Sequence, residues 1–529
     1  MHAASCTLAV ISQAGKRLTD VPIETNGQAR VEAISAIDGW APRHCFPRRP
    51  TALAHCHVRR HCARVSTAGS LLRPIGYTVL LAAGLLLPLA LAASGLPIVG
   101  ASYGPERRVF ELLGATGSVA LLAVGALELR RRRGSPPIEF LPLLLGLAVA
   151  FQTLVLVSEF SERLYDYQCY EVAAKKLLAG ESAWGDARFV YLYPPLLAQT
   201  LAALYLALQH GATWIGLAPA PASLWDAVFY LYQAVQPLLA AAAFALTYRV
   251  GRLGGLEATP AALIAAGLLL VNNPVVRTLR WSQVNLWVLD AVLLGVVLRV
   301  RAPLAAGAAI AFGAHLKLQP LVLALPWIAK RQWRALAGLA AGLLGLALLE
   351  TRGGRDLEPW RQFLAFAPSF PTGTFFRDNS IHSVVRNLVH AADRGGFLVF
   401  EPWVEGVAVV FAIAVLAVIF AWRFVRRERA LRQQPERDAR CQLGHAMDAL
   451  AFVLLAAPIT WEHHYVLAIP ITAWAAAGWG RAHPVAIALA ALLMFAPPTF
   501  DLFPLSYHRL AGLVLLLVVT NREPAPQTA

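Results

Sequence analysis

"FEPWVEGVAVVFAIAVLAVIFA" at 400–421, followed at once by "WRFVRRERALRQQPERDAR" at 422–440, decides the architecture of this 529-residue chain. Roughly 20 mainly apolar residues cross the ~30 Å hydrocarbon layer as a helix. Backbone groups in lipid have no water to bond, so such a block must satisfy them internally. The arginines that follow mark the cytoplasmic end of a span. Similar blocks recur at 75–98, 109–128, 138–157 and 223–247. Apolar residues make up 57% of the chain and charged ones 15%, against ~45–50% and ~25% in ordinary globular proteins. A soluble core could not hide that excess. The composition predicts an all-α, polytopic integral membrane protein with 12 to 15 transmembrane helices.

The net charge of +15 sits in short loops between apolar blocks, such as Arg130–Arg133, with no base-reading motif beside it. That placement excludes nucleic acid as a partner and leaves membrane lipids. Six cysteines follow no disulfide or metal spacing. Four lie in the first 62 residues near His44, His55, His57 and His61, where C-x10-C-x5-C is weak as a zinc pattern. Residues 1–72 are expected to form a disordered extension, or to precede a true start near Val65 or Leu71. Residues 73–135 then hold two extra spans, 136–520 the main transmembrane domain and 521–529 a tail.

Basic loops propagate orientation along the chain. With Arg130–Arg133 inside, span 138–157 emerges outside and the loop 159–194 is extracytoplasmic. Arg299 and Arg301, "KRQWR" (330–334), the basic loop 422–444 and Arg481 mark further inner turns. "RWSQVN" (280–285), Lys317 at the tip of a hairpin formed by 303–316 and 318–329, the loop 350–399 and "TWEHHY" (460–465) are then outside. Between Pro195 and Arg249, two crossings (196–209 and 223–247) would leave Arg249 and Arg252 outside. Either one block is re-entrant, or 196–222 crosses twice, or these arginines break the rule.

The outer face thus collects Glu159, Glu162, Asp166, "YLYPP" (191–195), Gln283, Asn285, Lys317, Asn379, His382, Glu462, His463 and His464. Each has a plain reading. Asp166 can cap a helix starting near Tyr167, with Glu159 and Glu162 as solvated charges. Tyr167 and Tyr170 suit an interface, rings in lipid and hydroxyls in water. The run 171–179 reads as a short surface helix closed by Gly180. "YPP" can simply start a helix, and Lys317 either snorkels or meets an anion. Adjacent His463 and His464 point to different faces, which disfavours a shared metal; no metal or cofactor is expected. The chemistry that wants these groups together is sugar transfer from a lipid phosphate. A carboxylate takes the proton of the attacking hydroxyl, and cations hold the departing phosphate. One base without a second carboxylate suits a single inverting displacement.

The order D-Y-x-x-Y, "LLAG", "YLYPPLLA", "SQVNLWVLDAVLL", "HLKLQPLVLALP", "NSIHSVVRNL" and "TWEHHYVLAIP" resembles glycosyltransferase family 87 over about residues 138–480. These are polyprenol-phosphate-mannose-dependent enzymes of GT-C architecture, related to bacterial phosphatidylinositol-mannoside and arabinan transferases. The resemblance implies Asp166 as general base and places Trp461, His463 and His464 near the donor phosphate. It carries the family's lysine-proline hairpin onto Lys317 and Pro320, and its Gly-Gln-Val-Asn segment onto Ser282, Gln283, Val284 and Asn285. Ser282 departs from the usual glycine.

The expected function is a membrane hexosyltransferase that moves mannose from a polyprenyl-phosphate donor to a glycolipid or glycan acceptor at the outer face of a bacterial plasma membrane. Asp166 is its catalytic residue. Tyr170, Tyr193, Gln283, Asn285, Lys317, Asn379, His382, His463 and His464 are its substrate-binding residues. The rival readings are a transporter or flippase of lipid-linked sugars and a non-catalytic membrane subunit of an envelope-building complex.

Overall fold

The computed structural model describes residues 6–11, 17–23, 140–160, 162–186, 188–367, 378–394, 402–433, 438–500 and 502–521. The expected spans 75–98 and 109–128, the arginines at 130–133, residues 368–377 and most of the tail lie outside the described residues. The chain divides into two compact units, Met1–Thr67 and Ala68–Ala529.

In the first unit, strand β1 (Cys6–Ile11) pairs antiparallel with β2 (Arg17–Ile23), Leu8 lying opposite Val21. Composition predicts an irregular extension here, and this hairpin departs from it. Thr7, Val10 and Ile11 on one strand and Thr19, Val21 and Ile23 on the other are β-branched, which favours extended backbone.

The second unit is helical. Helix α1 (Leu141–Glu159) precedes α2 (Tyr165–Leu178), α3 (Pro195–Trp214) and the 33-residue α4 (Pro221–Leu253). Then α5 (Ala258–Leu270) and α6 (Asn273–Arg280) meet at a 49° bend. There the Asn272 side chain caps α6 by accepting the Val275 N–H at 2.9 Å. Next come α7 (Asn285–Leu298), α8 (Pro303–Leu316), a 3-10 turn (Gln319–Leu323) into α9 (Ala324–Ala329), and α10 (Trp333–Glu350). After α11 (Glu358–Phe366) come α12 (Ile381–Arg394), α13 (Pro402–Gln433), α14 (Asp438–Ala456), α15 (Ala468–Trp479), α16 (Pro484–Phe495) and α17 (His508–Thr520). Of the expected basic loop 422–444, residues 422–433 belong to α13 and 438–444 to α14, and 434–437 lie outside the described residues. Arg423 and Arg427, one turn apart in α13, both reach Asp448 of α14, at 2.9 and 3.1 Å.

Among the described residues, four helices are long and apolar enough to cross a membrane, or five if the bent α5–α6 pair forms one span. Several further apolar helices have only 10–17 residues. At 1.5 Å per residue, a 14-residue helix covers about 21 Å, less than the ~30 Å hydrocarbon layer.

Ion pairs and ring contacts define the two ends of this layer. At one end Lys330 pairs with Glu428 at 2.8 Å, Arg427 lies 5.1 Å over Trp474, and the chain after α4 packs on α15 through Gly254 and Ala477. At the other, Arg163 pairs with Asp226 near the start of α4, Lys175 lies 5.2 Å over Trp225, and Tyr205 of α3 stacks on Trp225 at 4.5 Å. Gln199 of α3 also donates to the Glu350 carbonyl at the end of α10, at 3.0 Å. Among the described residues, α4 is long and apolar enough to span a membrane, and α3 is not one of the helices that are. Arg249 and Arg252 lie in the last turns of α4. At about 50 Å, α4 is longer than the hydrocarbon core, which lets its first turns project beside α2.

Helices α8 and α10 touch backbone to backbone. A Cβ added at Gly307 would lie 2.1 Å from the Ala335 carbonyl oxygen, and one at Gly338 2.1 Å from that of Leu304. Small residues permit such approach in membranes. Gly338→Ala is expected to force the pair apart and cost about 1–3 kcal/mol, read as a lower thermal midpoint of the detergent-solubilised protein. Gly345→Ala, with nothing within 4 Å of its Cβ position, serves as the neutral control.

Candidate active site

Helix α2 begins at Tyr165, its N-cap is Leu164, and no side chain caps it. Asp166 therefore lies inside the first turn, which overturns the reading of it as an N-cap. The turn is held by Arg163, which pairs with Glu171 at 3.1 Å as well as with Asp226. At the far end Gly180 takes φ +75°, with Gly180 N–H bonded to Leu177 O at 3.2 Å and Glu181 N–H to Lys176 O at 2.8 Å. This double bond pattern requires a left-handed residue, so a glycine closes the helix there. Tyr167 and Tyr170 are fully buried rather than interfacial. The Tyr167 ring packs against Phe229 at 4.7 Å and Tyr232 at 5.4 Å because α4 covers this face of α2. Glu159 and Glu162 are exposed.

In "YLYPP" the two tyrosines divide the work. Tyr191 donates to Pro194 O at 2.8 Å and accepts the Ala198 N–H at 3.2 Å, tying down the start of α3. Pro195 occupies that helix's first position, where no N–H is needed. Tyr193 instead donates to Gln283 Oε1 at 3.1 Å.

Gln283 is the hub. Its Oε1 accepts from Tyr193 and from Tyr170 (3.3 Å), and its Nε2 donates to Asp166 Oδ2. Two hydroxyl donors on the amide oxygen turn the amide nitrogen toward the carboxylate; reversed, two oxygens would oppose each other. Backbone geometry supplies the position. After α6, Ser282 N–H bonds Leu279 O at 3.1 Å and Gln283 N–H bonds Thr278 O at 2.8 Å, with Ser282 at φ +52°. This is the same left-handed helix end as at Gly180, a conformation that glycine adopts without strain. A non-glycine residue there costs about 1–2 kcal/mol.

Two residues on, Asn285 Oδ1 accepts from Lys317 Nζ at 3.0 Å, and the amine lies 5.7 Å from the Tyr193 ring centre. Lys317 occupies the turn after α8, and among the described residues it forms no ion pair. Burial pushes its amine down to about 7, opposed by the charge of Asp166. Burial also holds His464 well below its ordinary value, and the neighbouring Lys317 and His463 add to this. Asp166, Tyr170, Tyr193, Gln283, Asn285, Lys317 and His464 thus form one connected group.

The remaining site residues sit beside it. His463 and His464 lie in a 3-10 turn (Glu462–Leu467), their rings 4.6 Å apart at 81° and both near Trp461. His464 Nδ1 is buried and has no hydrogen-bond partner among the described residues. Glu462 is committed to structure: it pairs with Arg277 at 3.2 Å and accepts from Thr499, which Arg509 supports at 2.7 Å. Asn379 donates its N–H to Thr460 O at 2.7 Å and accepts Tyr465 through its carbonyl. His382 Nε2 donates to Ala456 O at 3.2 Å, at the end of α14. These bonds give Asn379 and His382 a bracing role beside the histidine turn. The reading of residues missed Asp378, whose Oδ1 accepts the N–H groups of Ser380 (2.9 Å) and Thr460 (2.8 Å) and clasps these two segments together. Its place directly before "NSIH" was the available signal.

No group of three or more His, Cys, Asp or Glu suited to a metal occurs among the described residues. What remains is a carboxylate with an oriented hydrogen bond, a cation without an acid partner and an imidazole with an unused nitrogen. That set can accept a proton and bind an anion.

Glycosyltransferase family 87 matches residues 191–434. That range includes Tyr193, Gln283, Asn285, Lys317, Asn379 and His382; Asp166 precedes it and the two histidines follow it. A polyprenol-phosphate-mannose-dependent alpha-(1-2)-phosphatidylinositol pentamannoside mannosyltransferase from Mycolicibacterium smegmatis is 27% identical over 284 residues. The match covers 50% of this chain and 64% of that relative. The corresponding phosphatidylinositol mannoside mannosyltransferase from Mycobacterium tuberculosis is 25% identical over 393 residues, 68% of this chain and 82% of the relative. The family resemblance carried by the motifs holds at this level.

Proposed function

We propose, with the glycosyltransferase family 87 match over residues 191–434 as premise, that this membrane protein transfers mannose from a polyprenyl-phosphate donor to a glycolipid or glycan acceptor. The site faces the outer side of a bacterial plasma membrane. The acceptor hydroxyl gives its proton to Asp166 as its oxygen attacks the anomeric carbon. The bond from that carbon to the phosphate oxygen breaks, and the polyprenyl phosphate leaves with the electron pair. Lys317 receives the growing phosphate charge, and neutral His464 donates a hydrogen bond to it. The sugar inverts at its anomeric centre because one displacement occurs. Electrostatic groups of this kind act strongly where water is scarce.

The observation that carries this reading is the Asp166–Gln283 contact one residue pair away from Asn285–Lys317. A proton acceptor and a cation that forms no ion pair among the described residues share one small region at the end of the helical layer. Relatives named for polyprenol-phosphate-mannose chemistry support the donor class.

Purified protein given labelled polyprenyl-phosphate mannose and bacterial membrane lipids is expected to form a new labelled glycolipid. Movement of the intact donor across vesicles without any glycosidic product would establish the transporter reading instead. Sidedness is tested separately. Single cysteines in 159–194 and 350–399, in a cysteine-free background, are expected to react with a membrane-impermeant reagent in intact cells. Labelling only after permeabilisation would reverse the orientation.

A further inference from the structure

Two buried polar residues of α4 remain unexplained by the reaction. Tyr232 donates its hydroxyl to the Ser282 carbonyl at 3.0 Å, and Gln233 Nε2 donates to Ser282 Oγ at 2.8 Å. All three are buried, with Ser282 at 1% exposure and Gln233 at 3%. They converge on a residue whose backbone is held at φ +52°. Gln233 Oε1 has no hydrogen-bond partner among the described residues. Leaving that oxygen buried and unmatched carries a cost that leucine would avoid. The amide is retained for what its nitrogen holds.

That is the turn from which Gln283 projects. Without a glycine, the left-handed conformation has to be imposed from outside. We propose that Tyr232 and Gln233 are positioning residues which, through Ser282, clamp the turn after α6 so that the Gln283 amide stays aligned on the carboxylate of Asp166. Ser282 with its two donors performs together what a single glycine does elsewhere in the family. The clamp also couples α4, pinned to α2 by Arg163 and Asp226, to the hydrogen-bonding hub. The inference rests on the transferase reading above for its catalytic consequence, while its geometric part is independent of it.

The test uses the full-length protein with two readouts. Gln233→Leu keeps the side chain's bulk and removes the hydrogen bond. Backbone hydrogen exchange over 278–285 is expected to quicken in this variant, and to return to the wild-type rate when Ser282→Gly is added. Glycine holds the left-handed conformation unaided. With labelled donor, kcat is expected to fall about tenfold to a hundredfold, the effect of a small misplacement of catalytic groups. Donor KM is expected to stay within about twofold, since the clamp acts on the base rather than on donor binding. Adding Ser282→Gly should restore the rate. Wild-type exchange and kcat in Gln233→Leu, or failure of Ser282→Gly to restore them, overturns the proposal. If the wild-type protein transfers no sugar, the transferase reading fails, and the exchange measurement alone still decides the clamp.

Discussion

Asp166→Asn is expected to lower the rate of sugar transfer by about 10²–10⁴-fold, the contribution of a positioned general base. The substitution keeps the size of the side chain. Its amide oxygen can still accept from Gln283 Nε2, so the hub formed with Tyr170 and Tyr193 persists. No cap is lost, because α2 begins ahead of Asp166. The favourable charge in the first helical turn is lost, worth about 0.3–1 kcal/mol. Expression and donor affinity are therefore expected to stay near wild type while turnover collapses. The measurement is the initial rate with labelled donor at saturating acceptor, beside equilibrium donor binding. A variant that keeps more than about a tenth of the wild-type rate would exclude Asp166 as the base, since a base is worth at least ~10²-fold.

Lys317→Ala is expected to slow turnover by about 10²-fold, as removal of one electrostatic stabiliser does, and to weaken donor binding as well. Among the described residues the amine meets a neutral amide oxygen and a tyrosine ring, which leaves its charge to an incoming anion. The pH dependence follows with a definite sign. A lysine lowered to about 7 is charged below that pH and neutral above it. Donor affinity should then be full on the acid side and fall as pH rises through the region of 7, displaced upward once bound phosphate favours the charged form. Lys317→Arg stays charged throughout and should flatten that alkaline fall. A wild-type profile without the fall, or unchanged kinetics in a well-folded Lys317→Ala protein, would remove Lys317 from the site.

Much of the site's membership was legible because it is local. "YLYPP", "SQVN", "HLKLQP" and "EHH" each stand where an apolar block stops, and the physics of that boundary is strong. A charged or amide side chain left at the end of a lipid-crossing helix is costly unless it has a task. Asp378 escaped notice because its role is a pair of bonds to backbone N–H groups from two separate segments, which no spacing announces. Tyr167 and Tyr170 were legible as residues but not as environments. An aromatic ring beside a span suits the interface equally well, and only the packing of α4 over α2 buries them.

The sequence by itself determined that the chain is helical and crosses a membrane repeatedly, because backbone in lipid has one way to satisfy itself and the length of an apolar block measures the bilayer. It also determined the conflict between Pro195 and Arg249 without resolving it. Tertiary structure decided that α3 packs against the start of α4 and the end of α10, through Tyr205 on Trp225 and Gln199 on the Glu350 carbonyl. It decided too that Gln283, 117 residues from Asp166, would be its partner. Hydrophobic patterning acts over one helix turn and is written along the chain. Which buried polar groups meet depends on how the helices pack, where each hydrogen bond must find its match at a distance no local pattern encodes.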